Sequence, residues 1–121
     1  MPPRPSLDDV RVYLRGQPLA AYRQQIARVN AFAALDDTTF KPYIRALLYP
    51  ARFLYSWNTG VMASNDDAVA FLHAHPQTGL DLDLIDRALA CRIAERPSDE
   101  LFPERGKLAG LLAVCEQVAA T

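Results

Sequence analysis

The sequence predicts an all-α fold, a bundle of four to six helices, on three observations. Apolar residues recur at intervals of three and four along most of the chain, the spacing that gathers them on one helix face. Serine, threonine or aspartate precedes these runs and glycine or proline follows them, where helix caps and stops belong. No stretch alternates apolar and polar residues for long enough to read as a half-buried strand, and "VRVYL", residues 10–14, is the one segment readable either way.

The elements follow in order. "MPPRPS", residues 1–6, holds three prolines and no apolar period, so it reads as a flexible arm ahead of a single helical domain over 7–121. Leu19, Tyr22, Ile26, Val29 and Ala33 mark one face of a first helix ending near "LDD", with Arg23, Gln24 and Arg28 on the other face. A second helix runs from about Thr39 to Asn58, with Thr38 or Asp37 as N-cap and Gly60 just past its end. Pro50 removes a backbone donor there and crowds the carbonyl of Ala46, which predicts a kink or a break near Tyr49. Ser64 and Asp67 form a capping-box pair opening a third helix, and "HAHPQTG" closes it, because Pro76 disfavours helix at His75. Asp81 caps a fourth, with Leu82, Ile85, Leu89 and Ile93 as its apolar stripe. After the proline-broken "ERPSDELFPERG", a fifth carries Leu108, Leu111, Leu112, Cys115 and Val118 on one face.

Composition narrows the function classes. The chain of 121 residues is half hydrophobic, enough for one modest core, and its 13 basic and 14 acidic side chains leave a net charge of −1. That balance supplies no long-range field to collect nucleic acid or an anionic membrane surface, so neither is expected as a partner. No apolar run approaches the roughly 20 residues that cross a bilayer, and residues 1–9 lack a signal-type apolar core, so a cytoplasmic location is expected. Cys91 and Cys115 fall on predicted buried faces and read as reduced core thiols. His73 and His75, two apart on a helix, point in different directions, which argues against a shared metal. No metal, cofactor or catalytic residue is expected.

One block carries more information. "RFLYSWNTGVMASNDDAVAF", residues 52–71, resembles the C-terminal helical domain of aminoglycoside adenylyltransferases of the streptomycin/spectinomycin type. Arg52, Tyr55, Thr59 and Gly60 fall on that family's frame and Ala63, Asp66 and Ala68 continue it. "VYLRGQPLAAYRQQI" is similar to the connection leading into the domain. The resemblance implies a substrate-side wall that faces a nucleotidyltransferase domain, with ATP or an aminoglycoside as ligand if the family site is kept. The catalytic domain of the family, with its metal-binding carboxylates, has no counterpart here. The only Asp-x-Asp, Asp81 with Asp83, opens a helix and lacks the Gly-Ser or Gly-Gly turn of the family before it. The chain is therefore expected to be non-catalytic alone. Asn65 stands where the family has a lysine, and Phe71 where it has a tryptophan. "FKPYI", with Lys41, stands where acidic residues hold the cationic drug, leaving Asp36 and Asp37 as the nearest carboxylates. The bundle is also similar to HEPN domains, but their closely spaced Arg–His signature is missing.

The candidate ligand- or partner-facing residues are thus Arg52, Tyr55, Trp57, Asn65, Asp66, Asp36 and Asp37. Each also has a structural reading. Tyr55 and Trp57 suit the core, Arg52 suits a carboxylate or a helix C-terminus, and Asp36 and Asp37 suit the close of one helix and the cap of the next. An apolar groove beside Tyr49, Phe53 and Trp57 is expected to serve either a substrate wall or the alternative function, a stand-alone interaction module that pairs with itself as a homodimer or with another protein.

Overall fold

The computed structural model describes residues 6–95 and 101–120. All regular structure among them is helical: α1 Leu7–Arg15, α2 Gln17–Asn30, α3 Phe40–Thr59, α4 Asn65–Ala74, α5 Leu82–Ala94, a 3₁₀ segment Phe102–Lys107, and α6 Leu108–Ala119. The chain is all-α.

Of the expected arm, residues 1–5 lie outside the described residues, and Ser6 belongs to α1. Its hydroxyl accepts the Asp9 N–H at 3.1 Å and the Asp9 carboxylate accepts the Ser6 N–H at 3.2 Å, a complete capping box. The ambiguous "VRVYL" is therefore helical. The first helical stretch is bent by 36°. Gly16 separates α1 from α2, and Pro18, in the first turn of α2, has no N–H for the Leu14 carbonyl. At Ser64 only half of the expected box forms: its hydroxyl accepts the Asp67 N–H at 3.2 Å.

α3 is the axis of the bundle and packs against α1, α2, α4, α5 and α6. It is buried nearly all round, from Phe40 and Tyr43 to Phe53 and Trp57, the pattern of a central helix. Of the two outcomes expected at Pro50, a break does not occur, since α3 runs unbroken from Phe40 to Thr59. The Ala46 carbonyl that Pro50 deprives of a donor instead accepts the buried Tyr22 hydroxyl of α2 at 2.6 Å. A polar group that would otherwise be stranded in the core is thereby satisfied. α3 ends at Gly60 in the left-handed region (φ 74°), whose N–H closes on the Ser56 carbonyl at 2.8 Å.

Three arginines tie helices together by donating to carbonyls at or just past a helix C-terminus, which lack intrahelical donors. Arg11 reaches the Trp57 carbonyl at 2.9 Å, Arg15 the Ala119 carbonyl at 3.0 Å, and Arg105 the Phe32 carbonyl at 2.5 Å. Arg11 and Arg15 also lie over the Trp57 ring, 5.2 and 5.4 Å from its centre. On α5 the expected stripe drifts off the core: Leu84, Ile85 and Ala88 are buried, Leu89 is half-buried and Ile93 is 69% exposed. No described helix is long and apolar enough to cross a membrane.

Candidate functional site

Because α3 is buried on most sides, its few exposed residues are conspicuous. Lys41, Arg45 and Arg52 follow one another at steps of four and seven and so share one stripe of the helix. That stripe borders a groove of two adjoining hollows. The larger, about 580 Å³, lies between α3, Gln25 of α2 and the C-terminal end of α5. The smaller, about 390 Å³, lies between Arg52, the start of α4 and residues Leu89, Arg92 and Ile93 of α5. Arg52, Asn65 and Arg92 line both, so the hollows form one continuous groove.

The charges in this groove are unusual for the molecule. Among the described residues outside the groove, every cation but Arg28 is tied down: Arg11, Arg15 and Arg105 to carbonyls, Arg23 to Glu116 at 3.1 Å, Arg87 to Asp83 and Glu104, and Lys107 to Glu104 and Asp81. Among the described residues, the side chains of Arg28, Lys41, Arg45, Arg52 and Arg92 make no hydrogen bond or ion pair, and all but Arg28 line the groove. Asp37, Asp66 and Glu95 also line it, yet none forms an ion pair with these cations.

Of the residues singled out in the sequence, Arg52, Asn65, Asp66 and Asp37 converge on this groove. Three do not. Asp36 closes the turn into α3: its carboxylate accepts the Thr38 hydroxyl at 2.7 Å and the Thr38 N–H at 2.8 Å. Those bonds, the hydroxyl's first, hold its carboxyl below the ordinary range. Tyr55 is half-buried and sets its ring edge-on to Phe71 at 5.3 Å. Trp57 is 5% exposed and belongs to the core. Arg52 takes neither of the structural partners expected for it. The groove expected beside Tyr49, Phe53 and Trp57 is also displaced, because Phe53 and Trp57 are buried and only Tyr49 lines it. Its character is cationic as much as apolar.

Arg45 and Arg92 line the groove as well, although neither is among the residues the sequence singles out. The signal for Arg45 was the Lys41–Arg45–Arg52 spacing, while Arg92 comes from another helix and is placed only by packing.

Tyr49 carries a further oddity. Its hydroxyl is buried without a hydrogen-bond partner, and burial raises its pKa, with Cys115 as a second cause. Removing an unsatisfied hydroxyl costs no bond, so Tyr49→Phe is expected to leave stability unchanged or raise it by up to about 1 kcal/mol. Urea denaturation checks this, and a clear loss would show that the hydroxyl has a role.

The cysteines, the histidines and the Asp-x-Asp pair are taken up by the fold. Burial pushes the Cys115 thiol up to about 12 and also raises Cys91, so neither supplies thiolate at neutral pH. Asp81 caps α5 through the Leu84 N–H at 3.1 Å and faces Lys107 at 3.7 Å, while Asp83 pairs with Arg87 at 3.1 Å. The Asp-x-Asp is thus spent on helix structure. His73 meets Asp86 at 2.8 Å and His75 packs on Phe71. Among the described residues no three His, Cys, Asp or Glu side chains gather as a metal site would require. No family model matches the chain, and searches of curated proteins and of solved structures give no match.

Proposed function

We propose that the chain is an accessory helical domain whose α3–α4–α5 groove forms one wall of a ligand site, completed by a nucleotidyltransferase domain as partner. This is the role implied by its resemblance to the C-terminal domain of aminoglycoside adenylyltransferases. The observation that carries it is the convergence of Arg52, Asn65 and Asp66, all from the resembling block, on a single groove with Asp37. Its volume falls within the few hundred to about a thousand Å³ typical of small-molecule sites. The metal-binding carboxylates that nucleotidyl transfer requires would come from the partner.

Calorimetric titration with Mg-ATP, streptomycin and spectinomycin tests this reading. One of them is expected to saturate the chain, and Arg52→Ala, at an exposed position, to weaken binding by about tenfold or more without lowering thermal stability. Adenylyl transfer to an aminoglycoside by the chain alone would refute an accessory role.

A second reading, an interaction module, draws on a different surface. Among the described residues, five of the six large exposed hydrophobics are Leu7, Val12 and Tyr13 of α1 and Val61 and Met62 of the α3–α4 turn, and Leu7 lies against Gly60 of that turn. Self-association is the form it takes here, and a monomer at every concentration in light scattering overturns it.

A further inference from the structure

The groove holds four cations against three carboxylates, and the arrangement of the cations points to a ligand class. We infer that it takes a small elongated anion bearing at least two negative charges, phosphate or carboxylate, and excludes polycations of the aminoglycoside kind; this rests on the reading of the groove as a ligand wall.

Three independent features support it. First, four of the five described cations without a hydrogen bond or ion pair border this one groove, in a chain whose net charge is −1. Chance would scatter them. Second, the placement of Lys41 and Arg45 is unfavourable without a ligand. Lys41 lies in the first turn of α3, which has no acidic residue, and the positive end of the helix dipole opposes a cation there. Arg45 follows at i+4, a like-charge pair that repels along the helix. A bound anion relieves both. Third, three of the four are arginines, whose planar guanidinium groups bond phosphate or carboxylate in pairs.

The geometry also sets the shape. Along α3 the step from Lys41 to Arg45 is about 6 Å and from Arg45 to Arg52 about 10 Å. A chain of charged groups matches these steps better than one compact anion does.

The carboxylates of the groove do not make the opposite case. Asp37 precedes α3, Asp66 lies in the first turn of α4, where the dipole accounts for it, and Glu95 ends α5. They belong to three different elements and make no continuous row. Asp36, the other carboxylate near Lys41, is held by Thr38 and Thr39.

The test is calorimetric titration of the full chain with inorganic triphosphate, citrate and streptomycin, at low and moderate salt. Triphosphate is expected to saturate, to weaken at least tenfold in Arg45→Ala and in Arg92→Ala, and to weaken as salt rises. Arg28→Ala, which removes the unpaired cation outside the groove, is expected to bind as the unaltered chain does. Circular dichroism confirms the fold of each variant, all at exposed positions. Citrate binding with the same variant dependence extends the class to carboxylates, and its absence narrows it to phosphates. Streptomycin binding that Arg52→Ala or Asp37→Asn weakens would keep the ligand wall and overturn the anion. Triphosphate binding that Arg45→Ala and Arg92→Ala leave unchanged overturns the inference by itself. No binding by any probe overturns both.

Discussion

Trp57→Ala is expected to lower unfolding stability by about 3–5 kcal/mol, the range for truncating a large buried aromatic side chain. The ring is 5% exposed and stacks on Phe53, with ring centres 5.8 Å apart and planes 19° from parallel. Arg11 and Arg15 of α1 lie over it, and Arg11 donates to its carbonyl. Truncation therefore removes core packing and the surface on which α1 is seated, and α1 should fray first. Urea denaturation followed by circular dichroism is the measurement, because Trp57 is the only tryptophan and its fluorescence disappears with it. Trp57→Phe keeps the stacking and should recover part of the loss. A cost below about 1 kcal/mol for the alanine variant would mean that Trp57 is not a core residue and would reopen a ligand role.

The contrast between Trp57 and Arg52 shows which parts of the site could be read in the sequence. Both lie in one short block, five residues apart, and both were candidates. Helical geometry separates them, because α3 is buried nearly all round and only a narrow stripe of it meets solvent. Knowing which stripe requires the directions from which α1, α4 and α5 arrive. The all-α class, the C-terminal end of α3 and the starts of α4 and α5 are legible because local caps fix them: Gly60 and Asp81 act as the sequence suggests and Ser64 forms half of its expected box, whereas the N-cap of α3 is Thr39, without a side-chain cap bond, and not Thr38 or Asp37.

α1 is ambiguous in the sequence. Its capping serine ends the proline-rich segment, and its valines and tyrosine also suit a strand. Packing decided the matter, burying Leu14 and half-burying Val10. The free cations of the groove were visible as residues, but not as a group. Arg92 joins Arg45 and Arg52 only because α5 packs against α3, and being unpaired is a property of tertiary contacts that no local pattern encodes.

The effect of Pro50 depends most on tertiary structure. A proline inside a helix costs about 3 kcal/mol in part because the carbonyl four residues earlier loses its donor. Here that carbonyl, of Ala46, is buried, and Tyr22 supplies the bond from another helix. Tyr22 is itself 1% exposed, and burial raises the pKa of its hydroxyl, so it stays protonated and remains a donor at any physiological pH.

Tyr22→Phe keeps the ring against Tyr49, 4.4 Å between centres, and removes only the oxygen. It should cost about 1–3 kcal/mol, the penalty for leaving a buried carbonyl unpaired. In a Pro50→Ala background, the new N–H at position 50 can donate to Ala46 along the ordinary helical ladder, and the same change should cost no more than about 0.5 kcal/mol. The difference between the two backgrounds is a coupling energy, read from four urea denaturation curves as a double-mutant cycle. A cost for Tyr22→Phe that is equal in both would show that the hydroxyl stabilises the fold independently of the proline. A coupling above about 1 kcal/mol would show that Tyr22 is the reason a 20-residue helix can carry Pro50 through the core without a break.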